Sequence, residues 1–316
     1  MSVYHTPVLL DESISSLVVN PSGIYADVTF GGGGHTAGIL SRLNEDGRVI
    51  AFDRDAEALD NTIEDSRLTL IRGDFRFIRN FLLKLAHDRD DLRGRLDGGL
   101  DGILADLGVS SHQFDTAGRG FSFRYEAPLD MRMNTEGGQT AADVVNGYPR
   151  EELERIFRLY GEVDGAGRIA SLIASARDKA PIVTTGDLDR AIAPVIPGFA
   201  EHKFLAKVYQ ALRIEVNHET RSLEKFLQGA AETLKEGGLL AVITYHSLED
   251  RMVKNFIRFG NVEGREEKDM FGRIDAPLEA VNRKPVTPAE SEIASNTRAR
   301  SAKLRVARKV TVKKGV

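Results

Sequence analysis

Residues 24–40 read IYADVTFGGGGHTAGIL, and this stretch decides the fold. The run Ile24–Phe30 is apolar and β-branched, the pattern of a buried strand. Gly31 to Gly34 follow it directly, and the stripe through Ile39, Leu40 and Leu43 has helical spacing. Strand, glycine loop and helix in that order bring unpaired amides of a helix N-terminus to a place where backbone can approach a ligand. Gly32-x-Gly34-x-x-Ala37 also fits the dinucleotide fingerprint, with Asp53 about 20 residues onward at the end of the next strand. Alone, the loop suits NAD, FAD or S-adenosylmethionine, and it also suits a tight turn that binds nothing.

Further apolar runs at Arg48–Asp53, Leu68–Asp74 and Leu100–Leu107 alternate with helical stripes near Ala56–Ile63 and Ile78–Leu85. Strands alternating with short helices imply an α/β fold with a parallel, doubly wound, Rossmann-like sheet. After Gly108 the pattern changes. Residues 115–147 have no clean period, and helical stripes follow at Leu153, Ile156, Phe157, Tyr160 and at Ile169, Leu172, Ile173, Ala176. Thr184-x-x-Asp187 marks a helix start before Leu188 and Ile192. Two more helical faces, Phe204–Val216 and Leu223–Leu234, lead to Gly237-Gly238 as a helix end and to a buried strand at Leu239–Tyr245. The expected organisation is a discontinuous sheet domain, 1–112 and 200–316, carrying an inserted all-helical domain at 113–199.

Acids close each strand run: Asp27, Asp53, Asp74 and Asp106. Ligands of open parallel sheets bind outside the carboxyl ends of the strands. A carboxylate at Asp53 suits a ribose diol, and Asp74-Phe75 offers a carboxylate and a ring to an adenine. Several acids around one crevice tolerate a sulfonium cation better than the pyrophosphate of NAD, which favours S-adenosylmethionine and disfavours a nicotinamide-dependent dehydrogenase. The acceptor is then expected at Asp106-Leu-Gly108-Val-Ser-Ser111-His-Gln113. An exocyclic amine is a poor nucleophile because its lone pair is delocalised into the ring. A carboxylate accepting its N–H helps to localise that pair, and Asp106 is the candidate for this and for taking the proton.

Composition narrows the field. There are no cysteines among 316 residues, which excludes disulfides, thiolate zinc sites and a cysteine nucleophile. No run approaches the roughly 18 apolar residues of a membrane span, and MSVYHTPVLLDES lacks a signal-peptide layout, so the chain reads as cytoplasmic. The seven histidines show neither HxH nor HExxH, so no metal site is expected. His246-Ser247 lacks the G-x-S-x-G elbow of a serine hydrolase. Net charge is −4, but residues 282–316 hold ten Lys/Arg against two Glu, a balance of +8 that leaves −12 on residues 1–281. A basic end of this kind suits a polyanion, with Arg298 and Arg300 as candidate phosphate contacts on a segment that returns to the sheet as a strand. Arg119, Phe121, Phe123, Arg124 and Arg132 combine guanidinium planes and rings that suit unstacked RNA bases. Tyr245 and His246, at a strand end, are candidates to face the target base, and His5 is a weaker one.

Ordered along the chain stand HTPVLLDE at 5–12, DVTFGGGGH at 27–35, FDRD at 52–55, DLGVSSHQ at 106–113, RGFSF at 119–123, PLDMRM at 128–133 and AADVVN at 141–146. YQALRIEVNHE at 209–219, YHSLEDRMVK at 245–254 and NTRARSAKLRVA at 296–307 complete the set. With these segments the chain resembles the bacterial ribosomal small-subunit RNA methyltransferase H family, also called MraW. The resemblance implies S-adenosylmethionine-dependent methylation of the 4-amino group of a cytidine in the decoding region of 16S rRNA. It implies a class I methyltransferase domain with a helical insertion, and it is compatible with a homodimer. Donor contacts are implied at Gly33, Gly34, His35, Asp53, Phe75, Asp106 and Gln113. Thr220 and Tyr245 depart from the family's usual Leu and Phe, and neither is expected to touch the donor site. Two rivals remain open, a non-catalytic RNA-binding assembly factor and a methyltransferase acting on DNA amines.

Overall fold

The computed structural model describes residues 7–55, 58, 61, 63–108, 117–268, 270 and 272–311. The chain divides into two compact units, Met1–Gly108 with Arg221–Val316, and Val109–Thr220.

The first unit is built on seven strands: β1 Ile24–Asp27, β2 Arg48–Asp53, β3 Leu68–Arg72, β4 Leu100–Asp106, β5 Leu234–Thr244, β6 Leu278–Ala280 and β7 Lys303–Lys309. Their order is β3-β2-β1-β4-β5-β7-β6. The pairs from β3 to β5 are parallel, and β7 runs antiparallel to both β5 and β6. Alternate residues feed opposite faces. Ile24, Ala26, Ile50, Phe52, Ile103, Ala105, Leu240 and Val242 join one core cluster with Phe226, Leu227 and Val253. Tyr25, Val49, Leu104, Leu239, Ala241 and Ile243 join the other with Ile14, Leu17, Ile39 and Leu40. A sheet buried on both faces has to be apolar at both strand periods, which is why its strands read as continuous apolar runs.

Strand order reverses between β1 and β4. β1 pairs with β2 on one side and with β4 on the other, Asp27 opposite Ala51 and opposite Leu104. At such a switch point the loops after the two strands diverge and leave a crevice at their carboxyl ends. The glycine loop follows β1 and Asp106 ends β4, so both border that crevice.

Two readings change. Gly237-Gly238 does not end a helix: the helix Glu219–Thr233 stops earlier, and both glycines lie inside β5. There the pairing jumps from Leu100 opposite Leu234 to Gly102 opposite Leu239, a bulge in which Gly237 holds a φ of +76° that only glycine takes without strain. The helix Glu201–Asn217 groups with the inserted unit, not with the sheet as a boundary at 200 expects. Its Leu205, Val208 and Leu212 share a core with Leu153, Ile156, Phe157, Ile169, Ile173 and Leu188. The helix expected at Ala56–Ile63 falls mostly outside the described residues.

The inserted unit carries the helices Ala141–Gly147, Arg150–Leu159, Ala166–Arg177, Thr185–Ile192 and Glu201–Asn217. Thr184 and Asp187 form the expected reciprocal cap, and Thr140 with Asp143 forms a second that the sequence reading passed over. No helix among the described residues is long and apolar enough to cross a membrane.

Candidate active site

The glycine loop leaves β1 in a shape that the residues around it demand. Gly31 and Gly33 have φ of +52° and +76°, and Gly33 precedes the helix Gly34–Leu40 in a left-handed turn. A Cβ on Gly34 would lie 2.1 Å from Pro7 Cγ, so this glycine is required by the N-terminal segment passing over it. The helix start has no side-chain cap, which leaves its first amides for a ligand.

Asp53 supports the loop from the end of β2. Its Oδ2 accepts from the Gly31 amide at 2.8 Å, and its Oδ1 accepts from the Asp55 amide at 2.8 Å. Burial pushes its carboxyl above the ordinary value despite those two bonds. Asp27, at the end of β1, is fully buried. Thr36 Oγ1 donates to it at 2.7 Å and the Thr29 amide at 3.1 Å, yet burial still raises it.

Asp106 ends β4 beside them. Its amide donates to Thr29 Oγ1 at 2.7 Å, which ties the end of β4 to the start of the glycine loop. Tyr245 Oη donates to its Oδ1 at 2.7 Å, and His35 Nδ1 lies 3.7 Å from its Oδ2. His35 is fixed from behind, with Nε2 donating to the Val8 carbonyl at 3.0 Å, and Nδ1 faces Asp106. Burial pushes Asp106 up to about 6, against the pull of His35 and Tyr245 and with the push of Asp27 and Glu249. Among the described residues, no lysine or arginine pairs with Asp27 or Asp106.

Other expected residues divide clearly. Gln113 and His5 lie outside the described residues. Phe75 packs edge-on to Phe226, with 5.3 Å between ring centres. Asp74 is a cap: its Oδ1 accepts from the Arg76 amide at 3.0 Å, and its other oxygen lies 3.4 Å from Arg76 Nε. His246 is likewise the cap of the helix Ser247–Phe259, accepting from the Glu249 amide, with Nε2 3.0 Å from Glu249 Oε1. In the inserted unit Arg119 donates to the carbonyls of Arg132 and Met133 at 2.9 and 3.0 Å, and Arg132 is bidentate to Asp130. Their guanidiniums hold the loop together.

Tyr245 corrects an expectation, because its hydroxyl, absent from the phenylalanine of the family pattern, touches Asp106 itself. The basic segment does return as a strand, β7, but Arg305 is 9% exposed and bonds Asp250 at 2.7 Å. Arg298 and Arg300 lie on the exposed turn Thr297–Ser301 before β7. Lys303 pairs with Thr244, so this turn emerges at the carboxyl end of β5, the edge of the sheet that carries the site. Sequence reasoning missed Thr36, whose hydroxyl donates to the Asp27 carboxylate, and Thr29, whose hydroxyl accepts from the Asp106 amide; the spacing Asp27-x-Thr29 was the available signal.

A model of the MraW methylase family matches residues 2–310. A protein of Bacteroides fragilis named "Ribosomal RNA small subunit methyltransferase H" is 52% identical over 308 residues, 98% of each chain. One of the same name from Parabacteroides distasonis is 50% identical over 309 residues, again 98% of each. Among solved structures, an rRNA methylase from Streptococcus thermophilus covers 95% of this chain and 93% of its own at 13% identity and a TM-score of 0.38, a likeness too loose to add to the strand order above.

Proposed function

The chain belongs to the MraW methylase family, and from that premise we propose that it moves the methyl group of S-adenosylmethionine to the 4-amino nitrogen of a cytidine in the decoding region of 16S rRNA. It is a small-subunit rRNA methyltransferase by family and by near-full-length relatives. The observation that carries the donor is the charge of the crevice. Asp27 is buried and Asp106 is partly buried, and both are pushed up in pKa, with His35 pulling against burial but no lysine or arginine among the described residues paired with either. A cationic ligand answers that demand and a pyrophosphate aggravates it.

The residues present fit S-adenosylmethionine. The uncapped amides of Gly34 and His35 suit a carboxylate, with Gly33, whose own amide donates to the Phe30 carbonyl, supplying the left-handed turn before them; Asp53 suits a ribose diol and Phe75 offers a ring to adenine. Gln113 completes the implied set. When bound, the donor supplies an electrophilic methyl on a sulfonium that departs as a neutral thioether.

Asp106 does the rest. Oδ1 is held by Tyr245, which leaves Oδ2 to accept the N–H of the target amine and draw its lone pair out of the ring. As the new C–N bond forms, the amine proton passes to that oxygen, and the product amine leaves neutral. A carboxylate near 6 is ionised at neutral pH yet basic enough to take a proton. Arg298 and Arg300, exposed on the turn before β7, are with Arg119 and Arg132 the candidates for the RNA phosphates. Tyr245 flanks the amine, and the reaction belongs to the cytoplasm. A homodimer is proposed from the resemblance alone and is checked by sedimentation.

The test is radiolabelled methyl transfer to small subunits lacking this modification, followed by nucleoside analysis. Label in 4-methylcytidine is expected. Tight donor binding with no label in subunits or naked rRNA would overturn the reaction in favour of an assembly factor.

A further inference from the structure

Tyr245 stands one residue beyond β5, and the residue is fixed at three points, its amide, its ring and its hydroxyl. β4 and β5 are parallel with Asp106 opposite Ile243, so the residue two positions on leaves the sheet beside the end of β4. Its amide donates to Glu249 Oε2 at 3.1 Å, and Glu249 is itself buried. Its ring lies against Gly108, where a Cβ would come within 3.1 Å of Tyr245 Cδ2. Its hydroxyl ends on Asp106 Oδ1 at 2.7 Å.

We infer that Tyr245 is a positioning residue for methyl transfer, its hydroxyl holding one oxygen of Asp106 so that the other, Oδ2, is aimed at the target amine. The inference rests on the reading of Asp106 given above. Oδ2 is 3.7 Å from His35 Nδ1, beyond hydrogen-bond length, and the His35 N–H points away to Val8. The hydroxyl therefore makes the short directional contact on this carboxylate among the described side chains.

The same contact sets the protonation of the acid. The groups facing Asp106 are Asp27 from β1, His35 from the helix Gly34–Leu40, Glu249 from the helix Ser247–Phe259, and Tyr245 from the end of β5. Burial, Asp27 and Glu249 favour the neutral acid, while His35 and the Tyr245 hydroxyl favour the carboxylate. Deleting the hydroxyl alone leaves four of these five influences in place, so Asp106 becomes harder to ionise and a larger fraction of the enzyme is inactive at neutral pH.

Tyr245→Phe keeps the ring against Gly108 and removes only the donor. We would measure kcat for 4-methylcytidine formation from about pH 5 to about pH 9, with donor affinity by calorimetry. The expected result is kcat lower by about tenfold near pH 5 and about twofold near pH 7, donor Kd within about twofold, and an acid limb moved up by about one pH unit, so that the deficit narrows as pH rises. His35 is common to both enzymes, so the displacement between profiles isolates the hydroxyl. Superimposable profiles, with or without a lowered plateau, overturn the inference. Asp106→Asn assayed alongside separates the two claims. If it retains transfer, the reading of Asp106 fails; if it is inactive while the Tyr245→Phe profile is unmoved, the positioning role alone fails.

Discussion

Strand β4 carries one aspartate near each end, and the two are treated oppositely by their surroundings. Asp101, at the amino end, is 7% exposed, and its carboxylate accepts from Asn20 Nδ2 at 2.8 Å and the Ile24 amide at 2.9 Å, and pairs with Lys235. Burial alone would raise it, but Lys235, Asn20 and Ile24 together hold it below its ordinary value. Asp106, at the carboxyl end, keeps 23% of its side-chain surface and is pushed up to about 6. One acid fastens the bottom of the sheet. The other is held at a cost to the fold, the condition in which acids at functional sites are commonly found.

The contrast breaks most visibly under mutation. Asp106→Asn should lower methyl transfer by about a thousandfold, since its carboxylate both aligns the amine and takes the proton. The same change should raise unfolding free energy near pH 7.5 by about 1–3 kcal/mol, because an isosteric neutral group replaces a carboxylate that burial disfavours. Transfer assays and thermal melts on one preparation check both halves. Asp101→Asn should do the reverse, losing about 1–3 kcal/mol of stability as Lys235 loses its partner, with kcat per folded molecule unchanged.

The two acids should also answer pH with opposite signs. Asp106 has a raised folded pKa, so its contribution favours the fold below about pH 4 and is lost as pH climbs through about 6; the stability gap to Asp106→Asn should open over that interval. Asp101 has a lowered folded pKa, so its contribution is present above about pH 4 and is lost on further acidification; the gap to Asp101→Asn should close there. Urea melts across pH on the three proteins decide this. The smallest expected effect is on the donor: S-adenosylmethionine affinity should fall several-fold between about pH 7.5 and pH 5, and that of its uncharged thioether product should fall less. Equal falls in calorimetric titrations would remove the sulfonium from the argument.

Much of this contrast could be read before any coordinates, and the remainder could not for a physical reason. Period and burial are local, so the apolar runs located β1 to β4 closely, and the acids at Asp27, Asp53 and Asp106 stood visibly at strand ends. Hydrogen-bond partners are not local. Tyr245 meets Asp106 across 139 positions of sequence, and Lys235 meets Asp101 across 134. Arg119 and Arg132 have the composition of an RNA patch, and only the fold shows that nearby carbonyls and Asp130 hold their guanidiniums. Asp74 and His246 show the same limit, since a polar residue at an element's end is a cap as readily as a ligand contact. The helix Glu201–Asn217 has an amphipathic face that fits either unit, and only its partners assign it.

The most direct test is a carbon-13 NMR titration of the aspartate carboxyls in the donor-free protein, with Asp101→Asn and Asp106→Asn providing the assignments. The account predicts that Asp106 titrates near pH 6, that Asp101 titrates below the ordinary aspartate range, and that adding S-adenosylmethionine moves Asp106 downward. Asp106 titrating alongside Asp101 below about pH 4, unmoved by the donor, would contradict it.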